Sequence, residues 1–184
     1  MRLLEIDWLG KLRYNCDEMQ IREATINDVP AVMSLVTKVV PLMRASGNLQ
    51  WDAKYPNPAV FERDVALGQL WLAESNGKLA GVAAITTTQE PEYAQVWDTS
   101  ETAIVVHRLA VDPDFQGQGV AAELMKQAER LAHEREIATL RVDTNTNNLA
   151  TQKLFPKLGY VLCGEISLAF RDGLRFLCFE KRLK

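Results

Sequence analysis

The 184-residue chain is 47% hydrophobic and 24% charged with a formal net charge of −3, which suffices for one sizeable core and leaves too little for two. The acidic balance excludes a general nucleic-acid binder, which needs a basic face to meet phosphates. No apolar run reaches the roughly 18 to 20 residues of a membrane helix, and the opening MRLLEIDWLGK, with acids in its apolar stretch and no small-residue cleavage site, does not read as a signal peptide, so residence in the cytoplasm is expected, with neither membrane nor nucleic acid as partner.

Residues 1–19 precede the regular pattern, either as an additional packed element or as the product of an early start codon; Trp8 and Leu12, four apart, would suit a short docked helix. From Ile21 the chain reads IREATIND and then carries apolar residues at Val29, Val32, Met33, Val36 and Val40. In the connection QWDAKYP, Trp51 and Tyr55 either wall a site or simply pack. Residues 57–67 read as a second helical segment. Two strands follow, Leu70–Glu74 and Leu79–Thr86, divided by Asn76 and Gly77, a favoured hairpin turn pair. Between Gln89 and Glu101 the acids Glu90, Glu92, Asp98 and Glu101 accompany Tyr93 and Trp97. That mixture would hold a cationic amine against aromatic walls, or form a solvated acidic loop.

Ala103–Val111 is β-branched and apolar enough for a buried strand, and Pro113 stops it by removing a ladder donor. The run Leu109–Ala121 reads LAVDPDFQGQGVA. Gly117 and Gly119 lack a Cβ, so backbone N–H groups from Gln116 to Ala122 are able to converge on an anion at the positive end of a helix beginning near Gly119. The plainer alternative is a strand-to-helix turn that uses glycine for tightness. A Gly-Lys-Ser/Thr ending is missing, and two glycines past the midpoint do not make the three-glycine dinucleotide fingerprint. The helix that follows carries Val120, Leu124, Ala128, Leu131 and Ala132 at helical spacings, so one face packs on a sheet. Thr139–Asp143 is the next buried strand. Asn148–Tyr160 reads NLATQKLFPKLGY, where Pro156 deletes a helix hydrogen bond and should shorten or kink the helix. Tyr160–Phe170 and Leu174–Lys181 close the chain as two strands joined through Arg171, Asp172 and Gly173.

Cys16, Cys163 and Cys178, an odd count at wide spacing, suit reduced thiols better than a disulfide framework. With only His107 and His133 to add, no pair stands at ligand spacing, and no metal is expected.

Gln116, Gly119 and Ala121 fill the pattern Gln/Arg-x-x-Gly-x-Gly/Ala, and the loop resembles the coenzyme A loop of the GCN5-related N-acetyltransferases, the GNAT family. NLATQKLFPKLGY resembles the family's second signature, and IREATIND with the apolar pattern after it resembles its opening strand and first helix. The resemblance covers residues 20–184 as one acetyltransferase domain. It implies an α/β fold with a central mixed, largely antiparallel sheet of six to seven strands and helices on both faces. It also implies acetyl-CoA as acyl donor. The residues that would hold it are Leu109, Ala110 and Val111 at the splayed strand end, Gln116, Gly117, Gln118, Gly119, Val120, Ala121 and Ala122 in the loop, and Asn148, Lys153 and Phe155 in the second signature. Lys126, Arg130, Lys153 and Lys157 lie on the two helices beside the donor, as phosphate contacts or as solvated faces.

The implied reaction moves an acetyl group to the amine of a small molecule or peptide by direct transfer. An amine with a pKa of about 10.4 is neutral in only roughly one molecule in a few thousand near neutral pH, so a base or a desolvating pocket must remove its proton. His107 lies on the strand just before the loop, where similar proteins often carry Glu or Asp, and imidazole has the right intrinsic pKa. Its other reading is a core histidine hydrogen-bonded across the sheet. Arg108 should point to the opposite face. Trp51, Tyr55 and Trp97 are the expected walls for the acceptor, and Tyr160 is expected in the core. Phe155 stands where many members carry the tyrosine that protonates the departing thiolate, although a thiol of pKa about 8.5 leaves tolerably without it. Two other readings stay open, a CoA-binding sensor without turnover and a transferase using a different acyl-CoA. A homodimer is equally open.

Overall fold

The computed structural model describes residues 4–6, 12–14, 19–169 and 171–184. Strands β1 (Leu4–Ile6) and β2 (Leu12–Tyr14) form an antiparallel pair in which Ile6 faces Leu12. This corrects the expected docked helix at Leu12; Trp8 lies outside the described residues.

The remaining strands are β3 (Met19–Glu23), β4 (Leu70–Ser75), β5 (Lys78–Thr86), β6 (Ile104–Val111), β7 (Thr139–Asn145), β8 (Val161–Ile166) and β9 (Phe176–Arg182). They form one seven-stranded sheet in the order β3-β4-β5-β6-β7-β9-β8. Among the described strands every pairing is antiparallel except β6 with β7. The mixed sheet with helices on both faces is therefore present as expected. The two closing strands are shorter than their apolar patterns suggest: their pairing ends at Ile166 with Phe176, beyond which the chain turns and Arg171 N–H meets the Leu168 carbonyl.

Helices α1 (Val29–Ala45) and α2 (Pro58–Ala66) cover one face. Residues 26–45 are long and apolar enough, by composition, to cross a membrane, which corrects the expectation that no segment reaches that length. Here, however, Val29, Val32, Leu35, Val36 and Val39 pack with Leu70, Leu72, Val82 and Ala84 of β4 and β5. Helices α3 (Val120–Glu134) and α4 (Leu149–Lys157) cover the other face. On α3 the buried stripe includes Val120, Leu124, Ala128, Leu131 and Ala132, as its spacing requires. A Cβ at Gly81 of β5 would stand 2.7 Å from Val120 Cγ1 and 2.9 Å from the Ala110 carbonyl oxygen, so glycine is what lets the first turn of α3 sit down on the sheet. A third cluster joins Tyr93 and Trp97, from the connection after β5, to Ile166, Leu168, Phe176 and Cys178 at the β8–β9 end.

Candidate active site

Strands β6 and β7 pair in parallel only from Ile104 with Leu140 to Val106 with Val142, and beyond that pair they part. Asp112 N–H donates to the Ala80 carbonyl at 2.9 Å. Because amide directions alternate along a strand, the N–H groups of Leu109 and Val111 turn toward the gap. The amide of Ala110 faces β5, opposite Val82, so Ala110 contributes lining only. The gap opens into a cleft of about 610 Å³ between the β6 end, the glycine turn and α4. Leu109, Ala110, Val111, Gln116, Gly117, Gly119, Val120, Ala121, Ala122, Asn148 and Lys153 all border it.

Gly117 and Gly119 have φ of +76° and +85°, in the left-handed region. Gly119 caps α3 there, so the first amides of the helix, with no helical carbonyl to bond, face the cleft with the positive end of the helix dipole behind them. These features suit the pyrophosphate and pantetheine arm of a coenzyme A thioester. Gln118 does not border the cleft, because its Nε2 folds back onto the Asp114 carbonyl at 3.1 Å. Of the four basic residues, Lys153 and Lys157 line the cleft. Lys126 pairs instead with Glu123 at 2.7 Å and Arg130 donates to Gln127 Oε1 at 2.8 Å, each along its own helix.

A second, inner cavity of about 100 Å³ shares Met43, Leu109, Asn148 and Thr151 with the cleft. Its polar lining includes Gln50, Glu90, Tyr93, His107, Arg108, Asp143 and Arg171. His107 and Asp143 are the first residues past the last β6–β7 pair, and Nδ1 of His107 lies 3.9 Å from Asp143 Oδ1. Tyr93 Oη donates to that same carboxylate oxygen at 2.8 Å. The imidazole also hydrogen-bonds the Thr88 backbone. Burial pushes the His107 pKa down to about 4, with the Arg108 charge acting the same way. Burial pushes Asp143 up to about 6 against the Tyr93 hydrogen bond, and the Glu90 charge adds to the rise. At neutral pH the cavity thus holds a neutral imidazole beside a largely ionised carboxylate.

Arg108 does not take the face that strand alternation assigns to it. Its φ of +53° marks a bulge, with the pairing shifted between Val82 and Ala84 of β5, so the side chain turns back toward α2. Its guanidinium makes two hydrogen bonds of 2.7 Å to Asp64 and one of 3.3 Å to Tyr55 Oη. The bulge lets His107 and Arg108 both reach the inner cavity.

Trp51 and Tyr55 also line the inner cavity, and the Arg171 guanidinium lies 4.3 Å from the centroid of the Tyr55 ring. Trp97 is not brought to it. That side chain is buried in the third cluster, its ring centroid 4.5 Å from that of Tyr93 and 5.4 Å from the Arg141 guanidinium carbon. Tyr93, four residues earlier, takes the wall position instead. Phe155 borders the inner cavity rather than the cleft and stacks edge-on against Phe179 at 5.4 Å. Tyr160 is buried in the main core as expected. Pro156 falls in the last turn of α4, which ends one residue later. Among the described residues no group of three or more His, Cys, Asp or Glu is placed to hold a metal ion.

Asp143 and Glu90 are the site residues that sequence reasoning missed or left in a general acidic segment. The available signal was an aspartate inside an otherwise buried strand, a placement that costs free energy unless something uses or satisfies the charge.

Comparison with known proteins agrees with this geometry. The profile described as the acetyltransferase (GNAT) family matches residues 38–160. An uncharacterised N-acetyltransferase of Bacillus subtilis is 24% identical over 164 residues, covering 87% of this chain and 88% of that protein. The crystal structure of a GNAT-family acetyltransferase from Streptococcus agalactiae superposes with a TM-score of 0.77 at 28% identity, over 99% of each chain. A Salmonella typhimurium protein solved with acetyl-CoA as its cofactor shares the fold at a TM-score of 0.63 and 19% identity, over 90% of this chain and 94% of that one. The chain belongs to the GNAT family of acetyltransferases.

Proposed function

We propose that this protein moves the acetyl group of acetyl-CoA directly to an amine of a small molecule or peptide. The observation that carries the reading is the meeting of the two cavities at Met43, Leu109, Asn148 and Thr151. A thioester laid in the cleft, with its carbonyl toward the Leu109 and Val111 amides, presents its carbon to whatever occupies the inner cavity. Those amides then act as the oxyanion donors. Direct transfer is supported by the lining, which among the described residues contains no cysteine or serine to carry an acyl intermediate. The free thiols Cys163 and Cys178 support a reducing compartment, the cytoplasm.

Phe155 in the usual tyrosine position favours one rival, a CoA-binding sensor without turnover. Calorimetric titration with acetyl-CoA, followed by assay of amine acetylation and of thioester hydrolysis, separates the two. Binding with turnover is the expected result. Binding without turnover of either kind establishes the sensor, and absence of binding by the parent protein removes both.

A further inference from the structure

The inner cavity holds two acids, Glu90 and Asp143, that pair with no lysine or arginine among the described residues. Glu90 Oε2 is buried without a hydrogen-bond partner. The Asp143 side chain is 7% exposed, with the His107 imidazole 3.9 Å away and the Glu90 charge also acting on it. The two guanidiniums nearby are committed elsewhere, Arg108 to Asp64 and Arg171 to Asp52 and the Tyr55 ring. The cavity therefore carries an excess of negative charge beside the thioester position, and a cation is the complement that such a buried excess selects.

We infer that the Asp143 carboxylate seats the ammonium group of the acceptor and takes its proton, which makes the acceptor a cationic primary amine. This rests on the N-acetyltransferase reading above. The geometry is specific. His107 Nδ1 and Asp143 Oδ1 are 3.9 Å apart, too far for a direct hydrogen bond. A nitrogen placed between them reaches both at about 2.9 Å, the ordinary length for N–H donation. Tyr93 Oη donates to that same Asp143 oxygen at 2.8 Å, which helps fix its position. The groups facing Asp143 from the packed elements are Tyr93 and Glu90 from the segment after β5, His107 from β6, and Cys178 opposite it on β9. Of these, His107 and Asp143 are placed to accept a proton from the seated amine, and Asp143 is the stronger base of the two.

In the step, one ammonium proton passes to Asp143 and leaves a neutral amine. Its lone pair forms the C–N bond at the thioester carbon. The C–S bond then breaks, coenzyme A departs as the thiolate and takes the second N–H proton as the amide forms, and Asp143 returns its proton to solvent.

The test uses the full chain, acetyl-CoA, and tyramine, putrescine, glycine and an alanine-initiated peptide as acceptors. Asp143→Asn keeps the shape and removes the base. It should bind acetyl-CoA within about twofold of the parent, lose about 100-fold in kcat with the accepted amine, and lose the acidic limb of the rate profile. Tyr93→Phe removes the hydrogen bond that lowers the Asp143 pKa, so its acidic limb should move upward by about half to one pH unit. If Asp143→Asn retains parental kcat and limb, the inference is overturned while the transferase reading stands. Should that variant fail to fold, an unmoved limb in Tyr93→Phe overturns it equally. A parent that fails to bind acetyl-CoA, or acetylates none of the four acceptors, overturns the transferase reading and this inference together.

Discussion

The donor cleft and the inner cavity touch at four residues yet are built in different ways. One wall of the cleft is main chain, with strand-end amides, two glycines at positive φ and a helix N-terminus within residues 109–122, and α1 and α4 supply the rest. The inner cavity is side chain. Its lining is drawn from residues as far apart as Met43 and Phe176, on both edges of the parted strands. Backbone amides serve any thioester of the same shape and carry no information about the acceptor. Ionisable side chains distinguish ligands by charge and protonation state. A fold that separates these tasks is free to change acceptor without rebuilding the donor site.

The comparison is tested most severely through Arg141, which is fully buried and holds the connection carrying Glu90 and Tyr93 in place. Its guanidinium meets Glu180 at 2.9 Å, Gln89 at 2.5 Å and the Asp98 carbonyl at 3.0 Å, with Glu101 beside it. Arg141→Met leaves those acceptors facing an apolar chain and should cost about 3 to 5 kcal/mol, read as a lowered urea midpoint. Loss below about 1 kcal/mol would show that the inner cavity does not depend on this anchor.

The next largest effect is a pH dependence in which two cavity residues oppose each other. His107 falls from 6.5 to about 4 on folding, so the unfolded chain takes up a proton that the folded chain refuses, and stability is lost as pH falls through that window. Asp143 rises from 3.8 to about 6, so the folded chain holds a proton that the unfolded chain lacks, and stability is gained as pH falls from about 6 toward 4. At about 1.36 kcal/mol per unit, each is worth on the order of 3 kcal/mol. Relative to the parent, His107→Gln should therefore gain stability as pH falls from 6.5 to 4 in chemical denaturation. A parallel pair of curves would place the imidazole in water. The same variant should lose about tenfold in turnover with unchanged acetyl-CoA affinity.

On the donor side, Gly119→Glu puts a carboxylate where the phosphates belong and forces a side chain into positive φ, although nothing lies within 4 Å of the added Cβ. Acetyl-CoA affinity should fall at least 100-fold, about 2.7 kcal/mol, with little change in melting temperature. Retained affinity would reduce the loop to a tight turn. The smallest effect is expected for Lys157→Ala at the cleft rim: a two- to threefold loss in acetyl-CoA affinity, roughly 0.5 kcal/mol, that disappears at high salt.

The two regions also differ in how far they could be read in advance. Leu109, Val111, Gly117 and Gly119 lie within one continuous stretch, and their places follow from a missing Cβ and from strand and helix direction, so this part of the cleft was legible, whereas Gln118 and Phe155, expected beside it, do not border it. Trp97 and Tyr93 share a segment and a chemistry, and nothing local says which ring the third cluster would bury. Arg108 was assigned by alternation to the wrong face, because a bulge at a non-glycine residue leaves no mark in composition. Asp143 reads as part of a buried strand, since its surroundings depend on His107 arriving beside it from β6, 36 positions earlier in the chain.

By itself, then, the sequence determined the order of the sheet strands and helices after residue 19, the stripe on α3 and the glycine turn, all of which rest on periodicity and backbone stereochemistry within a few residues. Only the tertiary structure decided where β6 and β7 part, which faces Arg108 and Trp97 take, and that Tyr93, His107 and Asp143 converge. Those outcomes depend on strand register and on burial, which raises one acid and lowers one base, and both are properties of contacts between segments distant in the chain.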